Sequence, residues 1–179
     1  FPTEEDDEVV VKTGISFVSM KGAEMNLKAE VRGWNFDRYR DKAASLWDEA
    51  LSKIKVSGGT RDMRTIFYTA LYHTMIDPRV FTDVTGEYIG VFSGWDVFRS
   101  QFPLQTIINP EVVNDMICSF ISLAEENGTK YYDRWEFLNA YSGCMVGDPA
   151  ISVIADAYRK GIRNYDVKKA YAYAVNTAE

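Results

Sequence analysis

Histidine is almost missing from this 179-residue chain, cysteine occurs twice, and neither a basic block nor a long apolar run appears anywhere in it. With His73 as the single histidine, a histidine-dependent triad or a multi-histidine metal site cannot be assembled from these residues alone. Cys118 and Cys144 are too few for a disulfide framework or a metal array, and they read as structural thiols. Twenty Lys and Arg against 26 Asp and Glu leave a formal net charge of -6, without the basic footprint of a nucleic-acid binder. No apolar stretch approaches the roughly 20 residues of a membrane span. The start, Phe1-Pro2-Thr3-Glu4-Glu5-Asp6-Asp7-Glu8, lacks the charged-then-apolar order of a signal peptide.

What is present is an apolar fraction of 46%, with ten Phe, eleven Tyr and four Trp, which is the composition of a globular chain with one sizeable core. At about 150 residues per domain, the length is a little over one domain. Val9 to Ser19 is rich in β-branched residues and alternates from Thr13, which predicts a strand. A strand needs partners, and none is evident downstream, so the sheet is expected to lie in sequence preceding Phe1.

From Ala23 the period becomes helical. A helix starting near Asn35 carries Phe36, Tyr39, Ala43, Leu46, Trp47, Ala50, Leu51 and Ile54 on one face, and Ser57-Gly58-Gly59 breaks it. Thr60 caps a further helix with a stripe through Met63, Ile66, Phe67, Ala70, Leu71 and Met75. Phe81 to Phe92, with its Thr85-Gly86 turn, predicts a short hairpin. A helix over about 93–108 is expected to be kinked or divided at Pro103. Asn109-Pro110-Glu111 opens the next, whose Val112, Val113, Met116, Ile117, Phe120, Ile121 and Leu123 read as core. Residues 128–147 show no sustained period, which marks them for function. Asp148-Pro149 starts another helix that stops at Gly161, and Asp166 opens a last one with no stop signal before Glu179. The chain is therefore expected to be an internal piece of a longer protein.

Two places set a tryptophan beside a carboxylate: Trp95-Asp96, followed by Arg99, and Trp135-Glu136. A sugar site needs this mixture. An indole covers the apolar face of a pyranose, while carboxylates and arginine fix its hydroxyls. Glycoside hydrolysis also needs a protonated carboxyl beside the leaving oxygen, and apolar neighbours such as Trp135 and Phe137 favour that form of Glu136. Trp–acid neighbours also occur at helix caps and on surfaces without function, so spacing alone leaves catalysis and packing both open.

The stretch Thr65-Ile66-Phe67-Tyr68-Thr69-Ala70-Leu71-Tyr72-His73-Thr74 is followed by Phe92-Ser93-Gly94-Trp95-Asp96-Val97-Phe98-Arg99. Arg134-Trp135-Glu136-Phe137, Gly143-Cys144-Met145-Val146-Gly147, Ile154-Ala155-Asp156-Ala157-Tyr158 and Lys160-Gly161 come next, and in this order and spacing the set resembles glycoside hydrolase family 92. The resemblance implies a mainly α fold, part of an (α/α)6 toroid preceded by one strand of a β-sandwich and linker helices. Residues 1–21 would close the sandwich, 22–58 would be the linker, and 59–179 the first helices of an incomplete catalytic domain. It implies an inverting, calcium-dependent exo-α-mannosidase, secreted or periplasmic, that removes terminal mannose, α-1,2-linked by preference, from a glycan. Glu136 would match the general acid, and Trp95, Asp96, Arg99 and Trp135 the sugar pocket. The base and the calcium ligands would come from the rest of the parent chain, so residues 1–179 alone would be inactive. Asp148-Pro149 replaces an aromatic–His pair of many members, which leaves linkage preference open. A non-catalytic carbohydrate-binding or scaffold segment, or another toroid glycosidase or phosphorylase, would share the same helical pattern.

Overall fold

The computed structural model describes residues 7–77, 81–86, 92–137 and 140–179, together with residues 2 and 4. It is mainly helical. The helices are α1 (Met20–Glu30), α2 (Phe36–Leu51), α3 (Arg61–His73), α4 (Gly94–Val97), α5 (Gln101–Ile108), α6 (Pro110–Glu126), α7 (Pro149–Arg159) and α8 (Val167–Ala178). Three two- or three-residue strands complete the described elements: β1 (Phe92–Ser93), β2 (Trp135–Phe137) and β3 (Ala140–Tyr141). Two compact units are distinguished, one of Phe1–Asp48 with Phe81–Tyr88, the other of Glu49–Val80 with Ile89–Glu179.

In the first unit, residues 9–19 form no ladder, because among the described residues no strand lies alongside to pair with them. Ser19 instead caps α1, its hydroxyl accepting from the Gly22 N–H at 3.0 Å. The buried Asp83 ties this segment together. One carboxylate oxygen accepts from the Ser16 hydroxyl at 2.6 Å and the other from the Asn26 amide at 2.6 Å. The Asn26 side chain in turn accepts from the Val84 N–H. Thr85-Gly86 does turn, with Gly86 at φ +87° and its N–H on the Asp83 carbonyl. The remainder of the expected hairpin, residues 87–91, lies outside the described residues.

The core belongs to the second unit and is built around α6. Val113, Met116, Ile117, Phe120 and Ile121 pack against Phe102 of α5, Ala150, Val153 and Ala157 of α7, and Tyr173 of α8. Val112, read as core from the sequence, is on the solvent side of the same helix. The predicted 93–108 helix is divided, but at residues 98–100 rather than at Pro103. Pro103 then occupies the first turn of α5, where its missing N–H costs nothing. Asn109 and Asp148 precede helices that begin with proline, as expected, although neither side chain makes the capping bond. Asp166 does cap α8, accepting from the Lys169 N–H at 3.0 Å. Gly161 follows α7 at φ +90°, the left-handed position that ends a helix.

Candidate active site

Residues 128–147, which have no sequence period, hold β2 and β3, and Tyr132 is one of the residues that anchor the start of this stretch. Tyr132 is buried, donates its hydroxyl to the Ala170 carbonyl at 3.0 Å and has its N–H on the Thr177 hydroxyl at 2.8 Å. Its ring meets Phe120 and Tyr173 edge-on. Burial pushes the Tyr132 phenol far above the ordinary tyrosine range, so it stays neutral and serves as a hydrogen-bond donor. Three residues later the chain enters β2, anchored to α6 and α8 through this contact.

β2 pairs antiparallel with β1 on one side, Ser93 opposite Trp135 and Phe92 opposite Glu136, and with β3 on the other, Tyr141 opposite Glu136. The Gly94 N–H extends the first ladder to the Arg134 carbonyl. The two Trp–acid motifs, forty residues apart in sequence, thus become neighbours: β1 leads directly into α4, which carries Trp95 and Asp96. The ladder was not foreseen, because a two-residue strand leaves no readable alternation.

The five expected site residues do not share one environment. Trp95 is 42% exposed, and the Arg99 guanidinium lies 5.7 Å from its ring centroid while donating to Asp96 at 2.7 Å. The result is an open platform, an indole face edged by a cation and a carboxylate, able to stack on a sugar and bind its hydroxyls. Glu136 is only 2% exposed. Successive strand residues face opposite sides of a sheet, so Trp135 and Glu136 do not act on the same space. Glu136 opens on a cavity of about 20 Å³ lined by Phe120, Leu123 and Ala124 of α6, by Tyr131 and Tyr132, and by Asp133. That is room for about one water and far too little for a pyranose.

Asp133, not among the expected site residues, stands three residues before Glu136. It is half-buried, and burial raises its carboxyl above the usual aspartate range. Met145, in the Gly143–Gly147 stretch, takes a left-handed conformation at φ +68°, unusual for a residue with a side chain. Among the described residues no three His, Cys, Asp or Glu side chains gather as metal ligands. No helix among them is long and apolar enough to cross a membrane.

Comparison with known proteins fits this arrangement. A curated protein of Arthroderma benhamiae, described as an uncharacterized secreted glycosidase, is 37% identical over 96% of the chain, which covers 20% of that protein. The solved structure of the family 92 α-mannosidase of Bacteroides thetaiotaomicron superposes with a TM-score of 0.84 at 30% identity, over 91% of this chain and 24% of that one. Its complex with mannoimidazole matches equally well, at TM-score 0.84. The chain thus spans about a fifth to a quarter of the length of these relatives. The model of the glycosyl hydrolase family 92 catalytic domain matches residues 22–179, and with β1, β2 and α4 inside that span the chain belongs to this family.

Proposed function

We propose that residues 59–179 are the first helices of an (α/α)6 catalytic domain in an inverting exo-α-mannosidase, with Glu136 as its proton donor. The observation that carries this reading is the β1–β2 ladder, which sets the Trp95–Asp96–Arg99 platform beside the strand bearing Glu136. Support comes from the solved relatives, one an α-mannosidase and the other its complex with mannoimidazole. The substrate would be a mannose-containing glycan, with α-1,2-linked terminal mannose as the preferred group. The protein would act outside the cell or in the periplasm, as the description of the Arthroderma relative suggests.

In the proposed step the Glu136 carboxyl gives its proton to the glycosidic oxygen as the bond from that oxygen to the anomeric carbon breaks. A water attacks the opposite face of that carbon and loses its proton to a second carboxylate. Inversion needs the two carboxyl groups roughly 6.5–9.5 Å apart, with the sugar and the water between them. The base and the calcium ligands are assigned to other parts of the parent protein, and residues 1–179 are not expected to turn over substrate alone. Glu136 must be uncovered to reach the leaving oxygen, and ladders two residues long on either side of it make such a shift inexpensive.

Its burial favours a second reading, in which Glu136 is a packing carboxyl and the donor is another residue. Mannose release from an α-mannobiose by the full-length protein, wild type against Glu136→Gln, decides between them. The first reading expects turnover to collapse, roughly 10²-fold or more, with melting little changed. Retained turnover with a lowered Tm establishes the second.

A further inference from the structure

We propose that Gln101 is a positioning residue for the Trp95–Asp96–Arg99 platform: its side-chain amide clamps the junction of α4 and α5 to carbonyls that follow α3. This rests on the reading of that platform as a sugar-binding surface. Gln101, the first residue of α5, donates from its amide nitrogen to the Thr74 carbonyl at 2.9 Å and to the Asp77 carbonyl. Carbonyls at a helix end lack a partner within the helix, and a side-chain amide carries two donor protons, one for each. One turn further along α5, the buried Gln105 donates to the same Thr74 carbonyl at 2.8 Å, and its own oxygen accepts from the Asn109 amide at 2.6 Å. Residues 101, 105 and 109 thus set three amides on one face of α5 at helical spacing.

The clamp stands two residues after Arg99. Across that short link, backbone N–H groups of Phe98, Ser100 and Leu104 donate to the carbonyls of Gly94, Val97 and Ser100 at 3.2, 3.4 and 3.1 Å, so α4 is stitched to α5 and moves with it. Val97 and Phe98 pack against the core. Apolar contact is non-directional, so it sets the depth of α4 and leaves its rotation to directional bonds. At its start α4 hangs on the two-residue pairing of β1 with β2, which is weak by itself. At its end the directional bonds are those of Gln101, made to a different helix end. Gln101 touches no sugar in this scheme and acts only through the platform.

The test measures kcat and KM for mannose release from an α-mannobiose by the full-length protein, in wild type, Gln101→Met, Trp95→Ala and the double variant. Methionine keeps the length of the side chain and removes both donors. KM should rise about 5- to 10-fold in Gln101→Met with kcat within about two-fold of wild type, because the platform binds ground state and transition state alike. On the Trp95→Ala background the same change should leave KM where Trp95→Ala alone puts it, since residues acting as one unit are not additive. Gln105→Leu serves as the structural comparison: it removes a bond to the same Thr74 carbonyl one turn away from the platform, and should lower Tm with KM near wild type. An unchanged KM in Gln101→Met, or an effect that adds fully to that of Trp95→Ala, overturns the proposal. An unchanged KM in Trp95→Ala sinks the sugar-platform reading instead, so the two failures are distinguishable. If Gln101→Met does not fold, Gln101→Asn, which keeps the amide but withdraws it by one methylene, carries the same expectation and the same refutation.

Discussion

Single residues govern both polar clusters. Around Asp83, space is the controlling quantity. A Cβ added at Gly22 would sit 2.3 Å from an Asp83 carboxylate oxygen and 2.7 Å from the Ser16 hydroxyl. Gly22→Ala must therefore push Asp83 off at least one of its partners, at an expected cost of about 2 kcal/mol measured by urea unfolding. An unchanged stability would show that the cluster is slack. Asp133 makes a prediction in pH. Its carboxyl is raised by burial, so its contribution to stability is complete below the ordinary aspartate range and is lost as pH rises through the raised value. Near neutral pH the wild type thus carries a burial cost that Asp133→Asn lacks. The Tm difference, variant minus wild type, should be more positive at pH 7 than at pH 4, and a difference independent of pH would rule the argument out.

Elements were legible where a repeat runs long enough to be counted. The stripe of α6 and the caps at Thr60 and Asp166 could be read directly, because periodicity and capping are local. Asp166→Ala should cost about 1 kcal/mol by removing the acceptor of the Lys169 N–H, whereas Asp166→Asn should cost much less. Equal losses for the two variants in thermal melts would assign the effect to charge rather than to capping. Illegible were the features set by partners distant in sequence. The alternation at Thr13–Ser19 signals a strand, but a ladder exists only where a second strand is alongside. Trp135 and Glu136 could be picked out as chemistry-bearing residues, but not the ladder that joins them to Phe92 and Ser93, nor the separation of their faces. The burial of Asp133 is equally illegible, because its surroundings are supplied by α6, about ten residues earlier in sequence.

At the scale of the whole chain, apolar surface decides behaviour. The stripes read on α2 and α3 are real, yet Phe36, Leu46, Met63 and Ile66 are exposed, and α2 buries no residue at all. Between α7 and α8 an apolar groove of about 570 Å³ runs along Ile151, Ile154, Tyr158 and Tyr171. Burying apolar surface is worth roughly 25 cal/mol per Å², so a few such faces outweigh the entropic cost of association. Expressed alone, the 179-residue chain should therefore form dimers or larger species at micromolar concentration, as read by light scattering. The combined change Met63→Gln, Ile66→Gln should shift the distribution toward monomer without lowering Tm by more than a few degrees, since both side chains are already in water. A monodisperse wild-type monomer would mean that these faces are covered within one chain, and a large loss of Tm in the double variant would mean that they are packed rather than exposed.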